Sequence, residues 1–344
     1  MTDFALELSE WYRLNKRELP WRFTTDPYKI WLSEIIMQQT QVVQGTNYYL
    51  KFIEAYPTVT DLAGAAEEDV LKLWQGLGYY SRARNLHATA KILADVYKGQ
   101  FPTDYKDVIR LKGVGPYTAA AIVSISFNLP YAVVDGNVYR FISRLKGVST
   151  PIDSTQGKKE FAVLANDLLN QDNPGDHNQA MMEFGATVCR PVNPQCSECP
   201  FASVCVALAN NKVKELPVKS KKTKQRDRYL IYLWIENENG IFIEKRTAND
   251  IWKNLYQLPL LEFNSQNEMK RYENLNKEQL ILLGSKKHIL SHQKLYANFY
   301  TADSSILETL KGNYINVSTQ DVSDYPFPQL IVNFLNKKTL ISQD

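Results

Sequence analysis

Cysteine is nearly absent from this chain of 344 residues, with four in all, and histidine is equally rare. No stretch approaches the roughly 18 consecutive apolar residues that a spanning helix needs, which excludes a transmembrane protein and a membrane partner of that kind. Neither sign of charge dominates: 40 Lys and Arg against 37 Asp and Glu leave a formal net charge of +3. No internal repeat or low-complexity tract interrupts the chain. At 44% hydrophobic and 22% charged residues it can bury real cores, so disorder and collagen-like architecture are excluded. The opening Met1-Thr-Asp-Phe-Ala-Leu-Glu mixes acids among apolar residues and has no basic segment ahead of an apolar run, so a reducing, cytoplasmic compartment is expected.

The length is about twice the ~150 residues usual for one domain, which predicts two compact units. Charge divides the chain in the same way. Residues 1–210 carry 20 Lys and Arg against 22 Asp and Glu, residues 211–228 carry 8 against 2, and residues 229–344 carry 12 against 13. The basic segment 211–228 reads as a solvated linker, alone or with an added attraction for a polyanion. Ahead of it, Asp26-Pro27 has the form of an N-cap followed by proline at the first helical position, and amphipathic stretches recur near 61–74, 83–97, 117–127, 137–146, 157–170 and 177–187. An all-α domain over 1–210 is expected. After it, Arg228-Tyr-Leu-Ile-Tyr-Leu-Trp-Ile, the Asn239-Gly240 hairpin signal and the alternating run from Lys294 to Thr301 predict a smaller α+β domain over 229–344.

All four cysteines, Cys189, Cys196, Cys199 and Cys205, fall within 17 residues as C-x6-C-x2-C-x5-C. Disulfides are disfavoured in a reducing compartment, so a metal site is expected over the loop 189–205. Zinc commonly uses two Cys-x-x-Cys pairs where this chain has one, and a thiolate-held [4Fe–4S] cluster competes on spacing. Four thiolates leave no open coordination position, which favours a structural role.

Two further features bear on chemistry. Leu111-Lys-Gly-Val-Gly-Pro-Tyr-Thr-Ala is a helix end, a glycine turn and a new helix; Gly113 and Gly115 can serve as a plain cap, or turn N–H groups toward a phosphate oxygen directly or through a monovalent cation. About twenty residues on, Asp135 in Val-Val-Asp-Gly-Asn-Val leads a helix. It is an N-cap, a carboxylate kept ionised to stabilise positive charge, or both.

Taken together, those two motifs and the cysteine spacing resemble the helix-hairpin-helix/Gly-Pro-Asp DNA glycosylases that carry an iron–sulfur cluster. Leu19-Pro-Trp-Arg, Trp31-Leu-Ser-Glu-Ile-Ile-Met-Gln-Gln-Thr-Gln-Val and Gly76-Leu-Gly-Tyr-Tyr-Ser-Arg-Ala-Arg-Asn-Leu are similar, within that superfamily, to the adenine DNA glycosylase (MutY) family. The likeness covers roughly residues 5–220, and the second half resembles that family's Nudix-like domain more thinly. The resemblance implies a [4Fe–4S] cluster on the four cysteines and a nucleoid-associated enzyme of base excision repair, able to work as a monomer. Its substrate would be duplex DNA holding adenine opposite 8-oxoguanine or guanine, from which it would cleave the adenine N-glycosidic bond.

Glycosidic cleavage passes through an oxocarbenium-like transition state, which two carboxyl groups in different protonation states can manage. The resemblance makes Glu34 the acid that protonates the adenine ring and later activates water, and Asp135 the anion that stabilises the sugar cation. Trp31, Ile35 and Ile36 around Glu34 would raise its pKa if it is buried. At Tyr117 the related endonuclease III branch carries a Schiff-base lysine, so this chain is expected to be monofunctional, with Tyr117 and Asn137 supporting Asp135. Reaching the base requires extruding it from the duplex, and the resemblance implies that Gln39 and Tyr79 wedge into the helix and contact the 8-oxoguanine, and that Arg22 and Gln179 stand around the adenine pocket. Lys112 and Arg82 stand where a phosphate contact is expected. Within His288-Ile-Leu-Ser-His, Ser291 and His292 match a lesion-recognition loop, while Leu290 replaces the usual Phe. No Gly-x5-Glu-x7-Arg-Glu-x2-Glu-Glu run follows residue 229, so the second domain is expected to recognise and not hydrolyse. Two competing expectations are a bifunctional pyrimidine-lesion glycosylase, which Tyr117 and the second domain disfavour, and a DNA-binding iron–sulfur protein without activity, which has no use for Glu34 and Asp135 together.

Overall fold

The computed structural model describes residues 3–220, 225–310 and 312–341. Two compact units emerge from its contacts, Met1–Gly64 with Asn85–Lys221 and Ala65–Arg84 with Lys222–Asp344.

The described residues up to 220 form helices and no strand: α1 (Asp3–Asn15), α2 (Pro27–Met37), α3 (Val42–Ala55) and α4 (Val59–Gly64) precede α5 (Glu67–Leu73) and α6 (Ser81–Asp95), and α7 (Tyr105–Val108), α8 (Pro116–Phe127), α9 (Gly136–Lys146), α10 (Thr155–Leu168), α11 (Pro174–Thr187) and α12 (Val206–Ala209) follow. Local chemistry accounts for the boundaries. Asp26 accepts from the Tyr28 N–H at 2.9 Å with Pro27 at N1, starting α2. The stretch expected as one helix near 61–74 is two, because Ala66 is extended and Glu67, Glu68 and Asp69 open a new N-terminus that acids favour. α5 and the start of α6 fall with the second unit, a grouping that helical periodicity does not signal.

α8 is buried along most of its length, from Thr118 to Ser124, and α9 and α11 pack beside it. The closest approach is at Gly185, where a Cβ would stand 2.7 Å from the Asn137 carbonyl oxygen, so only glycine lets α11 meet the start of α9. Phe141, Phe184 and Phe201 fill the core, with ring centroids 4.5 Å apart for the first pair and 5.2 Å for the second, and this core reaches Cys189 and Cys199.

Part of the expected linker is not free. Leu216 is buried with its carbonyl accepting from Arg144 Nε at 3.0 Å, and Ile152 N–H bonds to the Val218 carbonyl at 3.0 Å. Residues 221–224 of that segment lie outside the described residues, and the first strand already begins at Arg226.

The second unit holds two four-stranded sheets. β1 (Arg226–Trp234), β5 (Leu260–Phe263), β6 (Ile281–Ile289) and β7 (Gln293–Thr301) form one in the order β5-β1-β7-β6, with β1 and β7 parallel. β2 (Glu236–Asn237), β3 (Gly240–Lys245), β4 (Tyr256–Gln257) and β8 (Tyr314–Val317) form the other. In the β2–β3 hairpin Asn237 pairs with Gly240, so Glu238-Asn239 make the turn and Gly240 is the first strand residue. From Tyr229 onward β1 carries aromatic and apolar residues because both faces are covered there. Leu230, Tyr232 and Trp234 point into the core beneath α15 (Gln329–Ile341), and Ile231 and Leu233 point toward α13 (Gln266–Leu275).

Candidate active site

A cavity of about 350 Å3 opens in the helical unit among α2, α8, α9 and α11. Glu34, Tyr117, Asp135 and Asn137, expected to act together although they are up to a hundred residues apart, all line it. Each arrives by a different device: Glu34 from the buried face of α2, Tyr117 from the second position of α8 after the glycine turn, and Asp135 and Asn137 from the N-terminus of α9.

The two carboxyl groups differ in what surrounds them. Glu34 sits among Trp31, Ile35 and Ile36, all buried; solvent reaches part of its surface through the cavity, but the packed walls strip most of its hydration. Burial therefore pushes its pKa from the ordinary 4.5 to about 7, against a hydrogen bond with Tyr117 and helped by the nearby Asp135 charge. Asp135 is the N-cap of α9, and both readings of it coincide. Its Oδ1 accepts from the Asn137 and Val138 N–H groups at 2.9 and 2.8 Å, and its Oδ2 from Asn137 Nδ2 at 2.7 Å. Burial raises this carboxyl too, but those donors and Arg140 oppose the shift. Tyr117 is held neutral by burial, its pKa raised well above the ordinary tyrosine value, and its hydroxyl also lies 3.3 Å from Met182 Sδ. Behind Asp135, Arg140 donates to Asn137 Oδ1 at 2.9 Å, to the Gly185 carbonyl at 2.6 Å and to the Cys189 carbonyl at 2.7 Å.

Opposite the carboxyl pair lies a charged cluster that sequence reading missed in part. Glu183, 1% exposed, takes Arg17 Nη2 at 2.6 Å and Arg22 Nη2 at 2.7 Å, and all three line the cavity. Burial works to raise the Glu183 carboxyl, yet the two guanidinium groups and the Arg17 N–H outweigh it and hold it down at about 2. The available signal was a lone glutamate in the apolar run Ala180-Met-Met-Glu-Phe-Gly-Ala, a position where a charge must be paired. Arg22 stands at the expected place, while Gln179 does not line the cavity: it is buried one helical turn before Glu183, where the Tyr12 hydroxyl lies 3.4 Å from its Oε1. Gln39 lies at the mouth, exposed and in a left-handed conformation at φ 56°.

At the glycine turn, Gly113 has φ +81°, and a Cβ there would meet the Asn85 side chain at 2.8 Å. Thr89 Oγ1 donates to the Lys112 carbonyl at 2.8 Å, and Gly115 caps α8 ahead of Pro116. Arg82, where a phosphate contact is expected, is buried. It bonds the Leu77 and Gly78 carbonyls at 3.2 and 3.3 Å and lies 5.8 Å from the Tyr79 ring.

The four cysteines are free thiols that line one pocket with Phe141, Phe184 and Phe201. Four thiols around one shared pocket are a donor set that a polynuclear iron–sulfur group can use. Arg144, itself buried, brings Nη1 to 3.5 Å from Cys189 Sγ, a cation placed to balance clustered thiolates. The donor set and its charge balance therefore fit a [4Fe–4S] cluster.

In the second unit a separate cavity of about 380 Å3 is lined by Tyr79, Arg84, Trp252, Leu290, Ser291 and His292 among others. Tyr79 is 43% exposed at φ 45°, and Ser291 Oγ lies 3.1 Å from His292 Nδ1. Gln225 Nε2 donates to the Leu290 carbonyl at 3.1 Å, and Leu290 N–H closes the turn on the Gln293 carbonyl at 2.8 Å. In α13 the Glu268 carboxylate accepts from the Asn264 N–H at 3.0 Å and the Glu273 carboxylate from Asn298 Nδ2 at 2.5 Å.

Two family models match the chain. Residues 32–166 match the HhH-GPD superfamily of base excision DNA repair proteins, and residues 231–337 match the NUDIX domain. The adenine DNA glycosylase of Buchnera aphidicola subsp. Baizongia pistaciae is 36% identical over 301 residues, which cover 86% of this chain and 84% of that one. The human adenine DNA glycosylase is 43% identical over 216 residues, 60% of this chain and 40% of the human protein. Among solved structures, a thermostable thymine-DNA glycosylase superposes with a TM-score of 0.56 at 29% identity, covering 60% of this chain and 95% of its own.

Proposed function

Because the chain belongs to the adenine DNA glycosylase family of helix-hairpin-helix base excision repair proteins, we propose that it hydrolyses the N-glycosidic bond of adenine opposite 8-oxoguanine or guanine in duplex DNA, with Glu34 as general acid and Asp135 as the anion that stabilises the sugar cation. One observation carries this reading: two carboxyl groups share a cavity, one pushed to about 7 by burial and the other held by three N–H donors at a helix N-terminus.

The extruded adenosine enters the cavity, and Glu34 gives its proton to a ring nitrogen of the base, so the glycosidic electron pair leaves with a neutral purine. The sugar becomes an oxocarbenium ion against the Asp135 carboxylate, which stabilises it electrostatically or through a transient ester. Water then adds to the anomeric carbon while Glu34, now a carboxylate, accepts its proton. Tyr117 supplies no amine, so no Schiff base forms and the strand is left uncut. Tyr117 and Asn137 hold the two acids in place. The Gly113 to Gly115 turn takes a backbone phosphate through its N–H groups, directly or by way of a monovalent cation. Gln39 fills the gap left in the duplex, and Tyr79, Ser291 and His292 meet the 8-oxoguanine. The Nudix-like unit recognises without hydrolysing. Cys189, Cys196, Cys199 and Cys205 would hold the [4Fe–4S] cluster, which supplies a covalent clamp on the end of the helical unit. The boundaries 1–210, 211–228 and 229–344 serve as a functional division into catalysis, linkage and recognition, and the enzyme works as a monomer in the nucleoid.

Duplexes carrying adenine opposite 8-oxoguanine, adenine opposite guanine, and an oxidised thymine, each treated with and without alkali, test the reading. Cleavage that needs alkali and occurs at adenine alone is expected. Alkali-independent cleavage at oxidised thymine, or binding without cleavage, would reject it. Anaerobic purification should give a brown protein, and a colourless zinc-loaded one contradicts the cluster.

A further inference from the structure

The cavity of the second unit contains a tryptophan that none of the motifs above includes. Trp252 lies in the loop between β3 and β4, lines the cavity across from Ser291 and His292, and has φ +61°, a conformation that a bulky side chain adopts only when its surroundings force it. Those surroundings are identifiable. Arg246 Nε donates to the Ile251 carbonyl at 3.1 Å, Asn254 N–H to the Arg246 carbonyl at 2.7 Å, and Leu255 N–H to the Trp252 carbonyl at 3.0 Å. Asp250, at the start of the loop, is gripped by Arg228 at 2.8 Å and by Arg246 at 3.1 Å. Arg228 also reaches Gln293 Oε1 at 3.2 Å, so one buried guanidinium ties this loop to the base of the Ser291–His292 turn. The indole packs against His288, with ring centroids 5.9 Å apart, and among the described residues no acceptor takes its N–H.

Trp252 is a cavity-wall tryptophan on a pinned backbone, and with no acceptor for its N–H among the described residues it is a donor open to a ligand, since tryptophan can donate and not accept. The other polar groups at this wall, the Ser291 hydroxyl and the His292 ring, also offer donors, and Tyr79 adds an aromatic face. Such a set fits a flat heterocycle rich in carbonyl oxygens. Guanine presents a C8–H where 8-oxoguanine presents a carbonyl, so a donor-only group can tell the two apart at that atom. We infer that Trp252 is a specificity-determining residue whose indole N–H donates to a carbonyl oxygen of the oxidised purine opposite the excised adenine. This assignment rests on the proposed adenine–8-oxoguanine reading.

Trp252→Phe keeps the ring and removes the donor, and Trp252→His keeps a donor on a smaller ring. Affinity would be measured for full-length protein on duplexes holding non-hydrolysable 2′-fluoro-2′-deoxyadenosine opposite 8-oxoguanine or opposite guanine, with the excision rate at saturating enzyme measured separately. Trp252→Phe should weaken the 8-oxoguanine duplex roughly 3- to 10-fold, the contribution of one neutral hydrogen bond, leave the guanine duplex within about 2-fold, and leave the saturated rate unchanged; Trp252→His should recover part of the loss. Equal weakening of both duplexes, or of neither, overturns the assignment. A wild-type protein with no preference between the two duplexes overturns the underlying reading along with it, whereas a wild-type preference that survives Trp252→Phe overturns the Trp252 assignment alone.

Discussion

The two cavities are built on opposite principles. The one in the helical unit is lined by ionisable groups, Glu34, Asp135, Glu183, Arg17 and Arg22, each fixed by a named bond or by burial. That in the second unit is walled by Tyr79, Trp252, Leu290, Ser291 and His292, with exposed hydroxyl and imidazole groups and aromatic rings on strained backbone. Charge held away from water is what bond breaking needs, and neutral donors beside aromatic faces are what discrimination between bases needs. In the proposed function the first cavity carries the chemistry and the second the selection, and substitutions in each should fail in distinct ways.

The largest effect is expected at Asp135. Asp135→Asn keeps the helix cap but removes the anion, and excision in single turnovers should fall by more than about 10³-fold while duplex binding is retained. Normal turnover by that variant would remove the basis for separating chemistry from recognition. Glu34→Gln should lower excision by about 10²- to 10³-fold. It should also change stability in a pH-dependent way. The folded protein keeps the Glu34 proton up to about 7, whereas the unfolded chain releases it near 4.5, so this residue weakens the fold progressively as pH rises from 4.5 to 7. The glutamine variant should accordingly be more stable than wild type at pH 8, by about 1–3 kcal/mol in denaturant titrations, and match it near pH 4. The alkaline limb of wild-type excision should follow the same group, with activity falling as pH passes above about 7.

Arg22→Ala leaves Glu183 with Arg17 as its remaining guanidinium partner. Removing one partner of a buried pair typically costs ~3–5 kcal/mol, and the retained Arg17 should keep the loss near the lower end, read as a fall in the unfolding midpoint. The smallest effect is expected in the other cavity. Ser291→Ala should reduce the preference for adenine opposite 8-oxoguanine over adenine opposite guanine about 2- to 5-fold and leave the saturated excision rate unchanged. A loss of rate instead would erase the contrast between the two sites.

Much of the helical unit was legible because its signals are local. The cap-and-proline pair at Asp26-Pro27, the turn glycines and the Asp135 cap each specify a boundary within a few residues, and the helices expected near 83–97, 117–127 and 137–146 appear within two residues of those limits. The site residues of α2, α8 and α9 were legible only through motif likeness, since nothing at Glu34 itself separates a buried acid from a surface one. Glu183 and Arg17 were missed because their pairing spans 166 residues and leaves no periodic trace. Gln179 sits one turn of α11 before Glu183, displaced along the helix axis to where its Oε1 meets the Tyr12 hydroxyl, and sequence spacing alone does not set that depth.

The amino-acid order alone determined where most helices start and stop, the stretch near 61–74 apart, that the cysteines gather in one loop, and that the chain changes from helical to strand-rich texture near residue 228, because caps, spacing and alternation act over a few residues. Only the tertiary structure decided that Glu34 is shut in enough to hold a proton near neutrality, that Asp135 faces the same cavity, that residues 65–84 go with the C-terminal half, and that Trp252 is held rigid against a second cavity. Burial, convergence and strain are properties of segments distant in the chain that meet in space, and no window of sequence contains them.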